Sequence, residues 1–234
     1  MFYPYGYYGY RMDPTIFILL PAIILTIYAQ FKVNSTTSRY LRVRSNRGYT
    51  GEQTARAILD SNGLYNVSIE MVRGHLTDHY DPRNQVLRLS QDIYYGTSVT
   101  SVAVAAHECG HAIQHARGYV PLNLRSNLVP VVNFASNISW LLIALGFIMR
   151  GPFLEIGILL FLATVLFQLI TLPVEFNASS RALVQLGNLG IVEGKELNQS
   201  KKVLTAAALT YVAAALTSVL QLLRLLAIAN RDND

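Results

Sequence analysis

Residues 105–114 read AAHECGHAIQ, and the pattern H-E-x-x-H within them decides how the rest of the chain is interpreted. On an α-helix, residues four positions apart lie on one face, so the imidazoles of His107 and His111 can bind a single metal ion. Glu108 is placed beside that face, where it can accept a proton from a metal-bound water. No proline interrupts the stretch. The pattern therefore predicts a helix over 98–117 that carries a metal site.

The composition indicates a membrane protein. Hydrophobic residues make up 52% of the 234 residues and charged residues only 14%, whereas about 25% of the residues of a soluble domain are charged. The mean hydropathy is positive. The net charge of +5 is not arranged as a stripe interleaved with aromatic residues, so we expect no nucleic-acid partner. Because Cys109 is the only cysteine, no intrachain disulfide can form, and we interpret it as a small buried helix residue.

Four apolar stretches are long enough to cross a bilayer, which takes about 20 residues of α-helix. Pro21 is compatible with a kink inside the first stretch, and Pro173 is expected to end the third. The interiors of the stretches contain no Asp, Glu, Lys, Arg or His, which argues against a transporter or a channel. The predicted transmembrane helices are residues 14–33, 129–149, 154–174 and 203–223.

The sequence between the first two stretches has the pattern of a small α+β unit. Thr50 can cap a short amphipathic helix. Residues 67–72 and 86–89 alternate apolar and polar side chains as half-buried strands do, and we interpret 76–82 between them as a turn-rich loop. A sheet of two or three strands follows from this pattern. The segments predicted outside the transmembrane helices are a Tyr-rich extracytoplasmic tail at 1–13, a cytoplasmic α+β unit at 34–128, a cytoplasmic segment at 175–202 and a C-terminal tail at 224–234.

The distribution of positive charge predicts which side of the membrane carries the motif. Lys32 is followed by four arginines before the first acid, Glu52, and such a cluster beside a transmembrane helix marks the cytoplasmic side. Of the 19 lysines and arginines, 11 lie in residues 32–128 and 4 in 174–202, which leaves 4 elsewhere. The second and third transmembrane helices then form an out-and-back hairpin, which returns Glu175 to the face that carries the motif.

A metal site of this kind needs a third protein ligand. The candidates are His75, His79, His115 and any carboxylate on the same side of the membrane. His115 continues the row of the motif histidines, but a straight helix holds the outer two about 12 Å apart along its axis, too far for one tetrahedral ion. Glu175 is favoured, because a carboxylate at the end of a transmembrane helix is costly unless it has a partner. The alternative is an acid that only interacts with the dipole of a helix start.

The motifs together resemble a known group of proteases. A helix with H-E-x-x-H, two transmembrane helices and then E-F-x-A at the membrane edge is similar to the integral-membrane gluzincin proteases of the HtpX type. More closely, D-H-Y-D-P at 78–82, R-L-S at 88–90, A-H-E-x-G-H-A-I-Q at 106–114 and P-V-E-F-N-A-S-x-R-A at 173–182 resemble the bacterial YugP-type neutral zinc metallopeptidases. This similarity runs along most of the chain.

The resemblance implies the chemistry of the site. It implies a zinc metalloendopeptidase with one Zn²⁺ per chain, held by His107, His111 and Glu175. It also implies that Glu108 is the general base that activates a zinc-bound water for attack on a peptide bond. The alternative function is a catalytically silent membrane scaffold or adaptor that retains the metalloprotease fold. The intact Glu108 argues against that alternative, because a structural metal site needs ligands and no base.

Three features of the site stay open at the level of sequence. The HtpX-type proteins carry an acid four residues after the ligand glutamate, and this acid forms a hydrogen bond with a ligand histidine. This chain has Ser179 at that position, so the hydrogen-bond partner of the histidine is Ser179, Asn177 or another residue. A strand at 85–90 is a candidate for pairing with an extended substrate by edge addition. The candidates for the donor that stabilises the oxyanion are Arg181, His79 and Tyr80.

The predicted fold class is a mainly α-helical membrane protein, with about four transmembrane helices plus a small cytoplasmic α+β, zincin-like unit that contains a short sheet. We predict a multi-pass protein of the bacterial cell membrane with its active site on the cytoplasmic side. Its expected partners are the lipid bilayer and a polypeptide substrate drawn from membrane or membrane-proximal proteins. The sequence leaves open whether it has a membrane partner or forms an oligomer.

Overall fold

The computed structural model describes residues 14–149 and 152–232. Within these residues the protein is mainly helical, with four helices long and apolar enough to cross a membrane and a small three-stranded sheet, as predicted. The predicted tail at 1–13 and the last two residues of the predicted tail at 224–234 lie outside the described residues. In chain order the elements are α1 (Leu20–Leu41, preceded by a 3₁₀ helix at Pro14–Leu19), α2 (Gly51–Ser61), β1 (Ser68–Val72), β2 (His79–Asp81), β3 (Val86–Ser90), α3 (Gln91–Tyr94), α4 (Val99–Ala116), α5 (Val120–Met149), α6 (Phe153–Asn188) and α7 (Lys195–Asp232).

The long helices extend beyond the apolar stretches that predicted them. α5 begins at Val120 instead of near residue 129, and α7 spans Lys195–Asp232, well outside 203–223 at both ends. Hydropathy marks only the part of a helix that lies in hydrocarbon. Backbone hydrogen bonding continues until a breaking residue or a cap stops it. Most of the predicted tail at 224–234 is consequently helical.

Pro173 lies inside α6, so the expectation that it ends the third transmembrane helix is wrong. Proline at 173 removes the backbone hydrogen bond to the carbonyl of Leu169, but transmembrane helices tolerate such a loss where neighbouring helices pack around them. In the turn that follows, Gln114 Nε2 donates to the carbonyl of Val174 at 2.8 Å, and the Tyr119 hydroxyl donates to the carbonyl of Pro173 at 3.5 Å. Glu175 is therefore held in the middle of a continuous helix and not at the start of a new one.

α5 and α6 pack closely along their lengths and form a helical hairpin. Ser139 Oγ on α5 donates to the carbonyl of Gly157 on α6 at 2.8 Å. A Cβ at Gly157 would lie only 2.9 Å from the backbone nitrogen of Ile143, so glycine permits the close approach. This hairpin carries the chain away from α4 and back to it, which is the path that a third ligand on α6 requires.

The sheet of the α+β unit has the strand order β1-β3-β2. β1 pairs with β3 in parallel, and β2 pairs with β3 antiparallel, with His79 opposite Arg88. β2 lies within the stretch predicted as a loop, because three residues are too few to show an alternating pattern. Since β3 has neighbours on both sides, it cannot take up a substrate strand, and the expected edge addition at 85–90 is wrong.

α4 lies at the centre of the molecule and contacts α2, the sheet, α6 and α7. α2, which supports it, begins with the predicted cap: Thr50 Oγ1 accepts from the backbone nitrogen of Gln53, and the Gln53 side chain accepts from the backbone nitrogen of Thr50. Cys109 on α4 is fully buried, its Sγ lies 3.6 Å from the carbonyl of Ala55, and burial raises the pKa of its thiol. The interpretation of Cys109 as a small buried helix residue is confirmed.

Candidate metal centre

Two helices bring three potential metal ligands together. His107 and His111 project from one face of α4, and Glu175 projects from α6. Glu175 Oε2 lies 3.3 Å from His107 Nε2 and 3.6 Å from His111 Nε2. The three ligand atoms all lie within 4.8 Å of one another. In residues 14–149 and 152–232, this is the one group of three or more His, Cys, Asp or Glu side chains with such a spacing.

The distances and the donor types fit a zinc ion. Zinc takes four ligands in a tetrahedron at about 2.0–2.2 Å, which separates neighbouring ligand atoms by roughly 3.3 Å. The separations of 3.3 Å and 3.6 Å from Glu175 to the two imidazoles are close to that value. Two imidazoles and one carboxylate also make a set that zinc accepts in catalytic sites, with the fourth position left for water or substrate.

The electrostatic field at the site favours a cation. Burial by itself would lower the pKa of His111, but the hydrogen bond to Glu175 and the negative charges of Glu108 and Glu175 outweigh burial and raise it. A field that holds a proton on a buried imidazole also attracts a divalent cation, which competes with that proton for the same nitrogen.

Gln114 fixes the orientation of the His111 ring. Gln114 Nε2 donates to the carbonyl of Val174 at 2.8 Å and to Asn177 Oδ1 at 3.0 Å. Its Oε1 is thereby turned to His111 Nδ1, 3.0 Å away, and can only accept. When His111 is neutral, its proton is therefore on Nδ1, which leaves the lone pair of Nε2 free for a metal. Asn177 is held in turn by Arg181, whose Nε donates to Asn177 Oδ1 at 2.7 Å.

Ser179 holds the second ligand histidine. Its Oγ lies 3.2 Å from His107 Nδ1. In the tautomer that binds metal through Nε2, His107 Nδ1 carries the proton and donates to the serine oxygen. Of the two residues considered from the sequence, Ser179 contacts a ligand histidine directly, whereas Asn177 acts on Gln114. Gln114 is not among the predicted partners, although its position three residues after His111 on one helix face indicates such a contact.

Glu175 is also contacted from α5. Its side chain is only 3% exposed, and Arg125 Nη1 lies 3.6 Å from Oε1, the oxygen that faces away from the histidines. Arg125 Nε is buried and has no hydrogen-bond partner among the described residues. Tyr211 on α7 lies within electrostatic reach of Glu175, Glu108 and Arg125. Neither residue can be recognised from the sequence, because only the packing of α5 and α7 brings them to the site.

Glu108 lies beside the ligands on α4 and is 8% exposed. It is close enough to Asp78 for the two carboxylates to repel each other, and burial together with this repulsion raises the pKa of Asp78. Asp78 accepts hydrogen bonds from the backbone nitrogen of Ser90 at 2.7 Å and from Ser90 Oγ at 3.1 Å. Asp78, the first residue of the D-H-Y-D-P stretch, is thus hydrogen-bonded to the end of β3 and lies close to Glu108 on α4.

The remaining candidates lie outside the cluster of ligands. His75 Nδ1 is 3.5 Å from Asp92 Oδ2, and His79 Nδ1 is 2.8 Å from the carbonyl of Thr77. His115 Nδ1 is 3.0 Å from the hydroxyl of Tyr80. Arg181 Nε donates to Asn177 Oδ1. Among the described residues, no hydrogen bond or ion pair joins Arg181, His79 or Tyr80 to the three potential ligands.

Gly110, between the two ligand histidines, sets the distance between α4 and α6. A Cβ at this position would lie 2.5 Å from the carbonyl oxygen of Ala178 and 3.0 Å from its carbonyl carbon. Real Cβ atoms do not approach backbone atoms that closely, so any side chain would push α6 away. Since Glu175 lies one turn before Ala178 on α6, the same displacement would move the third ligand.

Replacing Gly110 with alanine is therefore expected to lower the zinc content and to destabilise the protein by about 1–3 kcal/mol, as overpacked cores do. Zinc per chain and the thermal midpoint of the purified protein in detergent would measure both effects. Gly187→Ala on α6 is the matched control, because its Cβ would lie 3.8 Å from the nearest atom, Leu197 Cδ2. Full zinc content in Gly110→Ala, with an unchanged midpoint, would contradict this account of the glycine.

Comparisons with known proteins identify the family of the chain. The family model described as "Putative neutral zinc metallopeptidase" matches residues 15–230. A curated protein named "Putative membrane protease YugP", from Bacillus subtilis (strain 168), is 52% identical over 220 residues, which cover 94% of this chain and 98% of that protein. No solved structure matches the chain. The resemblance read from the motifs is confirmed, and the chain belongs to the family of neutral zinc metallopeptidases.

Proposed function

We propose that the protein is a membrane-embedded, zinc-dependent endopeptidase that hydrolyses peptide bonds at the cytoplasmic face. One zinc ion per chain is held by His107, His111 and Glu175, and Glu108 is the general base. The observation that carries this proposal is the convergence of His107 Nε2, His111 Nε2 and Glu175 Oε2, with the other nitrogen of each imidazole held by a side chain. Family membership supports a protease, and the intact Glu108 supports an active one.

The roles of the residues follow from their positions. When bound, zinc acts as a Lewis acid that lowers the pKa of water to about 7 and polarises a carbonyl group. Glu108 accepts the proton of the attacking water and passes it to the leaving amine. Gln114 and Ser179 hold the imidazoles in the tautomer that directs Nε2 to the metal.

Arg125 is the side chain best placed to stabilise the oxyanion of the tetrahedral intermediate. Its guanidinium reaches the outer oxygen of Glu175, and its buried Nε has a free donor among the described residues. A fixed positive charge in a site with little water stabilises developing negative charge far better than a mobile one in solution. In this role Arg125 contacts the reacting carbonyl oxygen from the side of α5.

Replacing Arg125 with glutamine is expected to lower kcat by about 10²–10³-fold, the effect of removing one oxyanion donor, while zinc stays bound. Steady-state kinetics would separate kcat from KM, and metal analysis of the same preparation would give zinc per chain. Arg117→Gln, which removes an exposed arginine just after α4, is the control. Loss of zinc in Arg125→Gln would instead make Arg125 a residue that positions Glu175.

The location of the site limits the substrates. The ligands lie on α4 and on the part of α6 that follows its apolar stretch, so the site is shared between the α+β unit and the membrane edge. The charge asymmetry of the sequence favours the cytoplasmic face for both. Such a site is suited to cleave peptide bonds in membrane proteins, or in polypeptide segments that lie beside the bilayer.

The direct test is proteolysis by the full chain, purified in detergent or reconstituted in vesicles, against an unfolded, fluorescently labelled polypeptide. We expect one zinc per chain, loss of cleavage on treatment with a chelator, and recovery on addition of zinc. A protein that binds one zinc but cleaves neither this polypeptide nor membrane proteins from its own host would be the scaffold of the alternative function.

A further inference from the structure

A groove of about 1190 Å³ lies between α1, α6 and α7. α1 and α6 both pack against α7, which forms the floor of the groove. The wall on α6 consists of Phe176, Ser179, Ser180 and Leu183, which recur on one face of the helix. Ser179 is also the residue that contacts His107, so the groove is separated from the metal centre by one side chain.

Four cationic side chains line this groove. Lys32 and Arg39 come from α1, where their spacing of seven residues puts them on one face, and Lys201 and Lys202 come from α7. None of the described acidic residues lines the groove, and none of the ion pairs between described residues involves these four cations. The groove therefore presents a concentrated positive charge with no counterion of its own.

The polarity of the groove changes along its length. Near the cations it is lined by hydroxyl and amide groups from Ser35, Thr36 and Asn198. α1 and α7 run in opposite directions along it, and toward the membrane interior the lining becomes Tyr28, Leu209 and Val212. A positively charged, hydrogen-bonding end that continues into an apolar end matches a molecule with an anionic head and a hydrocarbon tail.

Cations beside a transmembrane helix also determine its orientation, but this role does not explain the groove. The orientation rule depends on the number of lysines and arginines near a helix end. It does not require that cations from two helices converge on one concave surface. A transmembrane segment of a substrate would fit the apolar end, but it would leave four cations without partners.

We propose that this groove binds an anionic phospholipid from the leaflet on the side of the metal centre. The phosphate of the headgroup is held by Lys201, Lys202 and Arg39, which donate charge-assisted hydrogen bonds to its oxygens. Lys32 lies deeper and extends its ammonium group toward the headgroup along its aliphatic stem. An acyl chain occupies the apolar end beside Leu209 and Val212. This binding is independent of proteolysis.

The test is the binding of phosphatidylglycerol to the full chain, purified and stripped of lipid in a neutral detergent. Native mass spectrometry during a titration would count bound lipids, with phosphatidylcholine as the neutral comparison. We expect one phosphatidylglycerol to bind each chain before any other, and phosphatidylcholine to bind much more weakly. In Lys201→Gln/Lys202→Gln, affinity should fall about fivefold for each cation removed, hence about 25-fold for the pair.

The matched control is Arg42→Gln/Lys195→Gln, which removes two exposed cations at the ends of the same two helices, outside the groove, and should bind like wild type. Zinc content and elution from size-exclusion chromatography would show that both variants are folded. Wild-type affinity in Lys201→Gln/Lys202→Gln, or equal binding of the two lipids, would overturn the proposal. Displacement of the lipid by millimolar inorganic phosphate would also overturn it, because the site would then be one for a soluble anion.

Discussion

Replacing Glu108 with glutamine is expected to lower kcat by roughly 10²–10⁴-fold, the contribution of a general base, while zinc stays at one per chain. Glutamine keeps the shape of the side chain but has no basic oxygen of carboxylate strength, so it cannot take the proton of the attacking water. The three ligands are unchanged by the substitution, because Glu108 is not among the atoms that converge on the metal position. Cleavage of a labelled polypeptide and metal analysis of the same sample would give both values.

Glu155→Gln is the matched control for this experiment. It makes the same chemical change at an exposed position near the start of α6, several helical turns before Glu175. The control should retain wild-type kcat and zinc. Turnover above a tenth of the wild-type value in Glu108→Gln would mean that another group accepts the proton. Asp78, which faces Glu108, would be the first alternative to test.

The features of the site that follow local rules could be predicted from the sequence. The spacing of four residues in H-E-x-x-H requires only that the segment is helical, and α4 is a helix over Val99–Ala116. Glu175 could be predicted because an ionised carboxylate at the edge of an apolar stretch needs a partner, and the hairpin of α5 and α6 returns it to the motif. Each of these inferences depends on one element or on the chain path between two elements.

The features that were missed depend on packing between elements that are distant in sequence. Arg125 becomes part of the site only because α5 begins at Val120, well before its apolar stretch, and so carries the guanidinium to Glu175. β2 exists because its three residues pair with β3, and no pattern within three residues can show that. Pro173 is expected to end a helix because local rules treat proline as a breaker, whereas α6 continues through it and packs against α4, α5 and α7.

Glu175→Gln is expected to weaken zinc binding by more than about 100-fold, since the loss of a residue that merely supports a ligand already costs 10–100-fold. Glutamine preserves the volume of a side chain that is 3% exposed, and it keeps an oxygen that can face the Arg125 guanidinium. It has no negative charge for the metal, however. Atomic emission analysis of protein purified without added zinc should find well below one zinc per chain.

The thermal midpoint distinguishes loss of the ligand from loss of the fold. Because zinc binds only the folded site, wild-type protein should lose stability when a chelator removes the metal, by an amount that follows the zinc affinity. Glu175→Gln should have nearly the same midpoint with and without chelator, close to that of the metal-free wild type. If Glu175→Gln retains one zinc per chain and its midpoint still falls with chelator, the third ligand is a different residue. In that case the hairpin of α5 and α6 would have no role in metal binding. The metal would be bound by His107 and His111 on α4 and by a third ligand from the α+β unit.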